Sequence, residues 1–185
     1  MIELELTGVA HGGEAIGHLE GKACFVDGAM PGERVRGEVT KDARSWARVR
    51  LHEVLRPSPQ RVVPPCPLFG ACGGCQWQFA DYPAQLEWKR TILAGQLAHL
   101  GGLPEPPVRE TLAAGEPFRY RNRVSFQVAS GQPAFSRRHS HLLQPIDDCL
   151  LLHPALAGLV SRLGDLGDAA AISLRVAAST EAMLA

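Results

Sequence analysis

The stretch "EAIGHLEGKACFVDGAMPGERVRGEV", Glu14 to Val39, decides the first fold assignment. Its first half predicts a hairpin with the turn at Glu20-Gly21, and Phe25-Val26 close the second strand. Pro31-Gly32 then marks a turn, after which Val35, Gly37 and Val39 fall on one face and Arg34, Arg36 and Glu38 on the other. Upstream, Ile2, Leu4 and Leu6 alternate with Glu3, Glu5 and Thr7. Downstream, Ala47, Val49 and Leu51 alternate with Trp46, Arg48, Arg50 and His52. Short strands punctuated by Gly and Pro, with no helical pattern between them, predict a small all-β barrel over residues 1–57. Cys24, between Ala23 and Phe25 in a strand, reads as a core residue.

A linker, cysteine loop and helix are expected over 58–102. "RPSPQRVVPPCP" is too rich in proline for a helix or a central strand. A helix is predicted over Pro83–Leu100, capped by Asp81 and stopped by Gly101-Gly102, with Leu86, Leu93, Leu97 and Leu100 as its buried stripe. After the break "GGLPEPP", residues 103–185 read as the start of a mixed α+β domain. "FRYRNRVSFQVASGQPAFS" predicts two strands around a Ser-Gly-Gln turn, and a helix begins near Pro154. "AISLRVAASTEAMLA" predicts a strand, a turn and the start of another strand, leaving an exposed sheet edge.

The 19 basic and 19 acidic residues cancel, so overall charge names no partner and only its local distribution can. "MIELELTGVA" lacks the basic and continuously apolar regions of a signal peptide, and no apolar run approaches a membrane span. A soluble, cytoplasmic, monomeric protein without a membrane partner is expected.

"CPLFGACGGCQWQ" crowds Cys66, Cys72 and Cys75 into ten residues of a chain with five cysteines. An odd number with three bunched fits a disulfide framework poorly and a reduced metal site better. Cys149 is the candidate fourth ligand. Three clustered cysteines and one distant one suit a [4Fe–4S] cluster. A structural zinc site more often takes two C-x2-C knuckles, of which only one is present, and free buried cysteines are the plain alternative. The C-x5-C-x2-C spacing departs from the C-x3-C-x2-C of radical-generating SAM clusters. A fully ligated cluster has no open iron for substrate, which points to a structural or redox-sensing role.

From Phe118 to His141 the chain carries five arginines, two histidines and no acid. A strand there would project Arg119, Arg121 and Arg123 from one face with Ser125 and Gln127. Phe118, Tyr120, Val124, Phe126 and Val128 would line the other, with Asn122 among them. Arg137 and Arg138 extend the patch, and guanidinium forks match phosphate. Trp46 beside Arg48 and Arg50 pairs a stacking surface with charge. Either patch alone equally suits a solvated strand face; together they favour RNA or single-stranded nucleic acid.

These residues resemble those of the SAM-dependent RNA uracil-C5 methyltransferases that carry a TRAM domain and an iron–sulfur cluster. "CFVDGAMPGERVRGEV" is similar to the TRAM signature, an OB-like RNA-binding barrel. "VLRPSPQRVVPPCPLFGACGGCQWQFADYPAQLEWKRTIL" resembles the family's cluster-binding segment. "FRYRNRVSFQV" resembles the start of its central domain, and "QPIDDCLLLHP" the place of its fourth cluster cysteine. The resemblance implies a [4Fe–4S] cluster on Cys66, Cys72, Cys75 and Cys149. It also implies rRNA or tRNA contacts from Trp46, Arg48, Arg50, Arg119, Arg121, Arg123, Arg137 and Arg138. S-adenosylmethionine, the catalytic nucleophile and the base belong to a C-terminal Rossmann-like domain in that family. No Gly-rich loop for that cofactor stands in these 185 residues, so no catalytic residue and no methyl transfer are expected of them alone. A stand-alone RNA-binding or redox-sensing module and a zinc-bound structural domain are the alternatives.

Overall fold

A computed structural model describes residues 1–177 and the backbone of 183–184. Five strands, β1 (Ile2–Val9), β2 (Ala15–Leu19), β3 (Lys22–Val26), β4 (Arg34–Asp42) and β5 (Trp46–Arg56), close into a barrel in the order β1-β2-β3-β5-β4. The hairpin β2–β3 turns at Glu20 and Gly21, both at positive φ (50° and 80°), as a two-residue hairpin that matches strand twist requires. Closure comes from β5, whose first residues run parallel to β3 while its length pairs antiparallel with β4. Three register shifts along β4–β5 bend the long ribbon so that it can serve two neighbours. Alternate residues fill the interior: Leu4, Leu6, Ala15, Cys24, Val26, Val35, Ala47 and Val49 form one buried cluster. Cys24 is thus a core residue. Val39, placed by the alternation on the face of Val35, is 38% exposed.

One buried ion pair ties the barrel to the proline-rich segment on its C-terminal side. Glu33 is wholly buried. Its carboxylate accepts from the backbone N–H of Met30 (3.0 Å) and Ser58 (3.3 Å), and from Nε and Nη2 of Arg61, the latter at 2.8 Å. Arg61 also donates to the Gly28 carbonyl at 3.0 Å and lies 4.8 Å from the Phe79 ring centroid.

Helix α1 (Tyr82–His99) starts where Asp81 Oδ1 accepts from the Ala84 N–H at 2.8 Å, with Pro83 in its first turn. Its buried residues are Ala84 and Trp88; Leu93 and Leu100 are exposed, and Leu86 and Leu97 are only half-buried. The leucine stripe is therefore corrected. Trp88 sets the contact face, standing edge-on to Trp77 (centroids 5.4 Å apart), and Trp77 Nε1 donates to the Gly13 carbonyl at 2.9 Å. An aromatic pair with a hydrogen-bonded tip outweighs scattered leucines in choosing the face.

The later strands, β6 (Arg123–Ala129), β7 (Gln132–Ser136), β8 (Leu143–Pro145), β9 (Ala171–Val176) and β10 (Met183–Leu184), form an antiparallel sheet in the order β10-β9-β6-β7-β8. Helix α2 (Pro154–Val160) contributes Leu156 and Val160 to a core with Val124, Phe126, Ile146, Leu152, Leu174 and Val176. The turn expected between β9 and β10 lies outside the described residues. Among the described residues no helix is long and apolar enough to cross a membrane.

Two compact units result: residues 1–64 with 76–112, and 65–75 with 113–185. The stretch 58–102 is thereby divided, its cysteine loop falling with the sheet and its helix with the barrel.

Candidate metal centre and arginine surface

All four clustered-motif cysteines lie in the second unit. The loop is wound by short backbone bonds: the N–H groups of Phe69 and Cys72 donate to the carbonyls of Cys66 (3.1 Å) and Leu68 (2.9 Å). It docks on the turn after β7. Gly73 N–H donates to the Ser136 carbonyl at 3.0 Å, Arg138 N–H donates to the Ala71 carbonyl at 3.2 Å, and Cys72 bridges to Arg137. A Cβ on Gly73 would stand 3.0 Å from the Ser136 oxygen, so a larger residue here would have to push the strand end away by a few tenths of an ångström. Leu68, Cys72 and Cys149 all pack against the core of the sheet.

Cys149 arrives from the other side of the sequence. Leu152 N–H closes a turn onto its carbonyl at 3.0 Å, and Arg119 and Arg121 donate backbone N–H groups to Leu150 and Leu151, each at 2.8 Å. Burial pushes the Cys149 thiol above the usual range, and the neighbouring Cys75 and Cys72 push the same way; a backbone hydrogen bond at Leu151 and the charge of Arg121 pull it down. The Gly74 N–H already points at Cys72 Sγ, 3.4 Å away, the kind of N–H···S bond that stabilises a thiolate. Among the described residues no three His, Cys, Asp or Glu side chains converge closely enough to hold one metal ion. The donor set, thiols with backbone N–H groups and no carboxylate among the candidates, fits a soft thiolate-held group in kind.

The arginines divide by their partners. Arg119 does not share a strand face with Arg121 and Arg123: β6 begins only at Arg123, Arg119 sits at φ +59°, and Tyr120 is 61% exposed instead of facing a core. The alternation holds from Arg123 onward, where Val124 and Phe126 are buried and Arg123, Ser125 and Gln127 exposed. The two forks of Arg119 grip Asp148 (3.2 and 3.1 Å), and Nη1 also reaches the Cys149 carbonyl at 3.4 Å. That hydrogen-bonded pairing holds the Asp148 carboxyl below the usual range and raises Arg119. RNA contact by Arg119 must therefore displace Asp148. Arg137 is exposed and Arg138 half-buried, both beside the cysteine loop.

On the barrel, Arg48 Nη1 donates to Glu14 (2.8 Å) and Arg50 pairs with Glu38 (3.2 Å). Trp46 is half-buried, edge-on to Phe25 at 6.4 Å, with Lys41 Nζ 5.1 Å from its ring centroid. Phe25 escaped the sequence reading because β3 runs parallel to β5, a pairing no local pattern announces, and Lys41 because a register shift in the β4–β5 pairing sets its place.

Residues 1–51 match the family model "TRAM domain". The chain is 37% identical over 180 residues to the 23S rRNA (uracil(1939)-C(5))-methyltransferase RlmD of Alkalilimnicola ehrlichii, covering 94% of this chain and 40% of that protein. It is 41% identical over 166 residues to the RlmD of Halomonas elongata, covering 87% of this chain and 34% of the relative. Its fold is similar to that of Pyrococcus abyssi tRNA (uracil-54, C5)-methyltransferase, solved in complex with S-adenosyl-L-homocysteine. There the TM-score is 0.62 at 23% identity, over 92% of this chain and 42% of that one. The chain spans 27–40% of the length of the curated relatives it matches. A TRAM barrel followed by this α+β unit is thus similar, along nearly the whole chain, to part of the RNA uracil-C5 methyltransferases.

Proposed function

We propose that these 185 residues are the RNA-recognition and cluster-bearing portion of an RNA uracil-C5 methyltransferase that acts on rRNA or tRNA. The observation that carries the reading is the placement of Cys66, Cys72, Cys75 and Cys149 in one unit, with Cys72 and Cys149 packed against the same core, on a chain that aligns over 94% of its length with a 23S rRNA methyltransferase. Cys66, Cys72, Cys75 and Cys149 would hold a [4Fe–4S] cluster, which when bound supplies a rigid cross-link and a redox-active centre. The chain's own residues prepare that role. Gly74 N–H stabilises sulfur charge, Gly73 fixes the loop on Ser136, and Arg119 fixes the segment that presents Cys149. Arg121, Arg123, Arg137 and Arg138, with Arg48 and Arg50 of the barrel, meet phosphates. Trp46 stacks on a base. Methyl transfer and S-adenosylmethionine belong to the longer enzyme.

Two measurements test this. Anaerobically purified protein is expected to carry iron and sulfide, to lose them on Cys149→Ala and to keep them on Cys24→Ala. A colourless protein with stoichiometric zinc, or a Cys149→Ala variant with full iron, overturns the assignment. Affinity for a uridine-containing single-stranded RNA is expected to fall steeply with salt. A flat dependence returns the arginines to the role of a solvated face. No turnover is expected with labelled S-adenosylmethionine, and methylation by these residues alone defeats that claim.

A further inference from the structure

In the second unit, β6 and β9 set Arg123 directly opposite Arg175. Both are exposed, and neither makes an ion pair among the described residues. The next rung on the same face is Ser125 opposite Ser173, their hydroxyls 2.7 Å apart. The rung after is Gln127 opposite Ala171, with Gln127 Nε2 donating to Ser136 Oγ at 3.1 Å. The intervening residues Val124, Phe126, Leu174 and Val176 are buried on the other face. The outward face therefore offers two guanidiniums at one end, then hydroxyls and an amide, and no aromatic ring along these rungs.

Like charges directly opposed across an antiparallel pair oppose folding, because their Cβ atoms are only about 5 Å apart. Several arginines of this chain are neutralised by acids. Arg34 and Arg36 both grip Glu3, Arg56 grips Glu5, Arg61 grips Glu33 and Arg119 grips Asp148. The Arg123/Arg175 rung sets two arginines opposite each other with no acid paired to either among the described residues, and an oxyanion between two forks resolves it. We infer that Arg123 and Arg175 together grip one phosphate of an RNA backbone, with the Ser125/Ser173 hydroxyls as the adjoining contact. The inference rests on the RNA reading above and deepens it by naming where on the sheet the backbone lies. With no stacking surface on these rungs, the contact sets position and affinity and carries no sequence preference.

The test uses the full 185-residue chain with Arg123→Gln, Arg175→Gln and the double variant. Arg34→Gln, an arginine paired on the barrel, is the control. Binding of a labelled single-stranded RNA is followed by anisotropy across a salt series, and thermal unfolding is recorded at low salt. Each single variant is expected to bind about tenfold more weakly, with the salt slope reduced by about 1. The double variant should lose less than the product of the two, because one phosphate is shared. Unfolding temperatures should stay level or rise, since repulsion is relieved. Parental affinity and slope in Arg175→Gln, while the parent binds RNA, overturns this inference alone. So does a binding loss that merely tracks lowered stability. A parent that binds no RNA at any salt overturns the RNA reading itself.

Discussion

Replacing Arg61 with Met should unlatch the barrel from the segment after it. Glu33 is 0% exposed, and its four donors are two backbone N–H groups and two guanidinium N–H groups of Arg61. Arg61→Met removes both charged donors and leaves a carboxylate buried with two neutral ones. Breaking a buried pair by deleting one partner costs about 3–5 kcal/mol, because the remaining charge is uncompensated. Domains of this kind have only about 5–15 kcal/mol in total, so the unit should approach its stability limit. At a urea m-value of about 2 kcal/mol/M, the midpoint should fall by about 1.5–2.5 M. Tryptophan fluorescence is the assay, since Trp46, Trp77 and Trp88, the chain's three tryptophans, all lie in the barrel's unit. The double variant Glu33→Gln/Arg61→Met removes the stranded charge and should recover part of the loss, giving a positive coupling in a double-mutant cycle. A shift below about 1 kcal/mol for Arg61→Met, or a double variant no better than the single, would refute the view that an uncompensated carboxylate is what destabilises it.

Trp77→Phe removes the donor to the Gly13 carbonyl but keeps a ring against Trp88; a loss of about 1 kcal/mol in urea unfolding is expected, and no change means that bond is replaced by water at no cost. Gly73→Ala puts a methyl 3.0 Å from the Ser136 oxygen and should cost about 1–3 kcal/mol of local stability, read as faster hydrogen exchange at the Gly73 and Cys72 amides; unchanged exchange contradicts the close-packed docking. Hydrogen bonds from Arg36, then Arg34, hold the Glu3 carboxyl below its usual range. A depressed folded pKa contributes stability above the unfolded value, and that contribution disappears as pH falls through the folded one. Arg36→Ala should therefore move the Glu3 titration upward when followed by NMR, and high salt should shrink the difference; a titration that stays put removes Arg36 as the cause.

Alternation is enough to find the barrel, because in a small closed sheet nearly every inward residue is apolar and every strand repeats with period two. It assigns Leu4, Leu6, Val35, Ala47 and Val49 inward, and all five are buried. The parallel β3–β5 closure is not legible: it joins residues about 23 apart through no turn signal. The leucine stripe of α1 fails for a physical reason. Burial there is decided by Trp77 and Trp88, whose pairing is tertiary, while helical periodicity records only which positions share a face. The crowding of Cys66, Cys72 and Cys75 is legible because it is compositional. Arg119 is misplaced when a strand pattern is extended through a residue that adopts positive φ, where the chain turns to hand Arg119 to Asp148. Arg175 gives no local signal, being one arginine in an otherwise apolar segment; only the β6–β9 register sets it beside Arg123.

The interleaving of the two units has a consequence during synthesis. The loop at 65–75 belongs to a core completed only by residues beyond 113, and Cys149 follows Cys75 by 74 positions. At roughly 5–20 residues per second, a ribosome exposes three thiols for about 4–15 s before their distant companion is made. The barrel can close in that interval, while the cysteine loop must wait, reduced and unpacked, beside a nascent chain. Any agent that reacts with those thiols in that interval meets them before the unit that will pack them is complete.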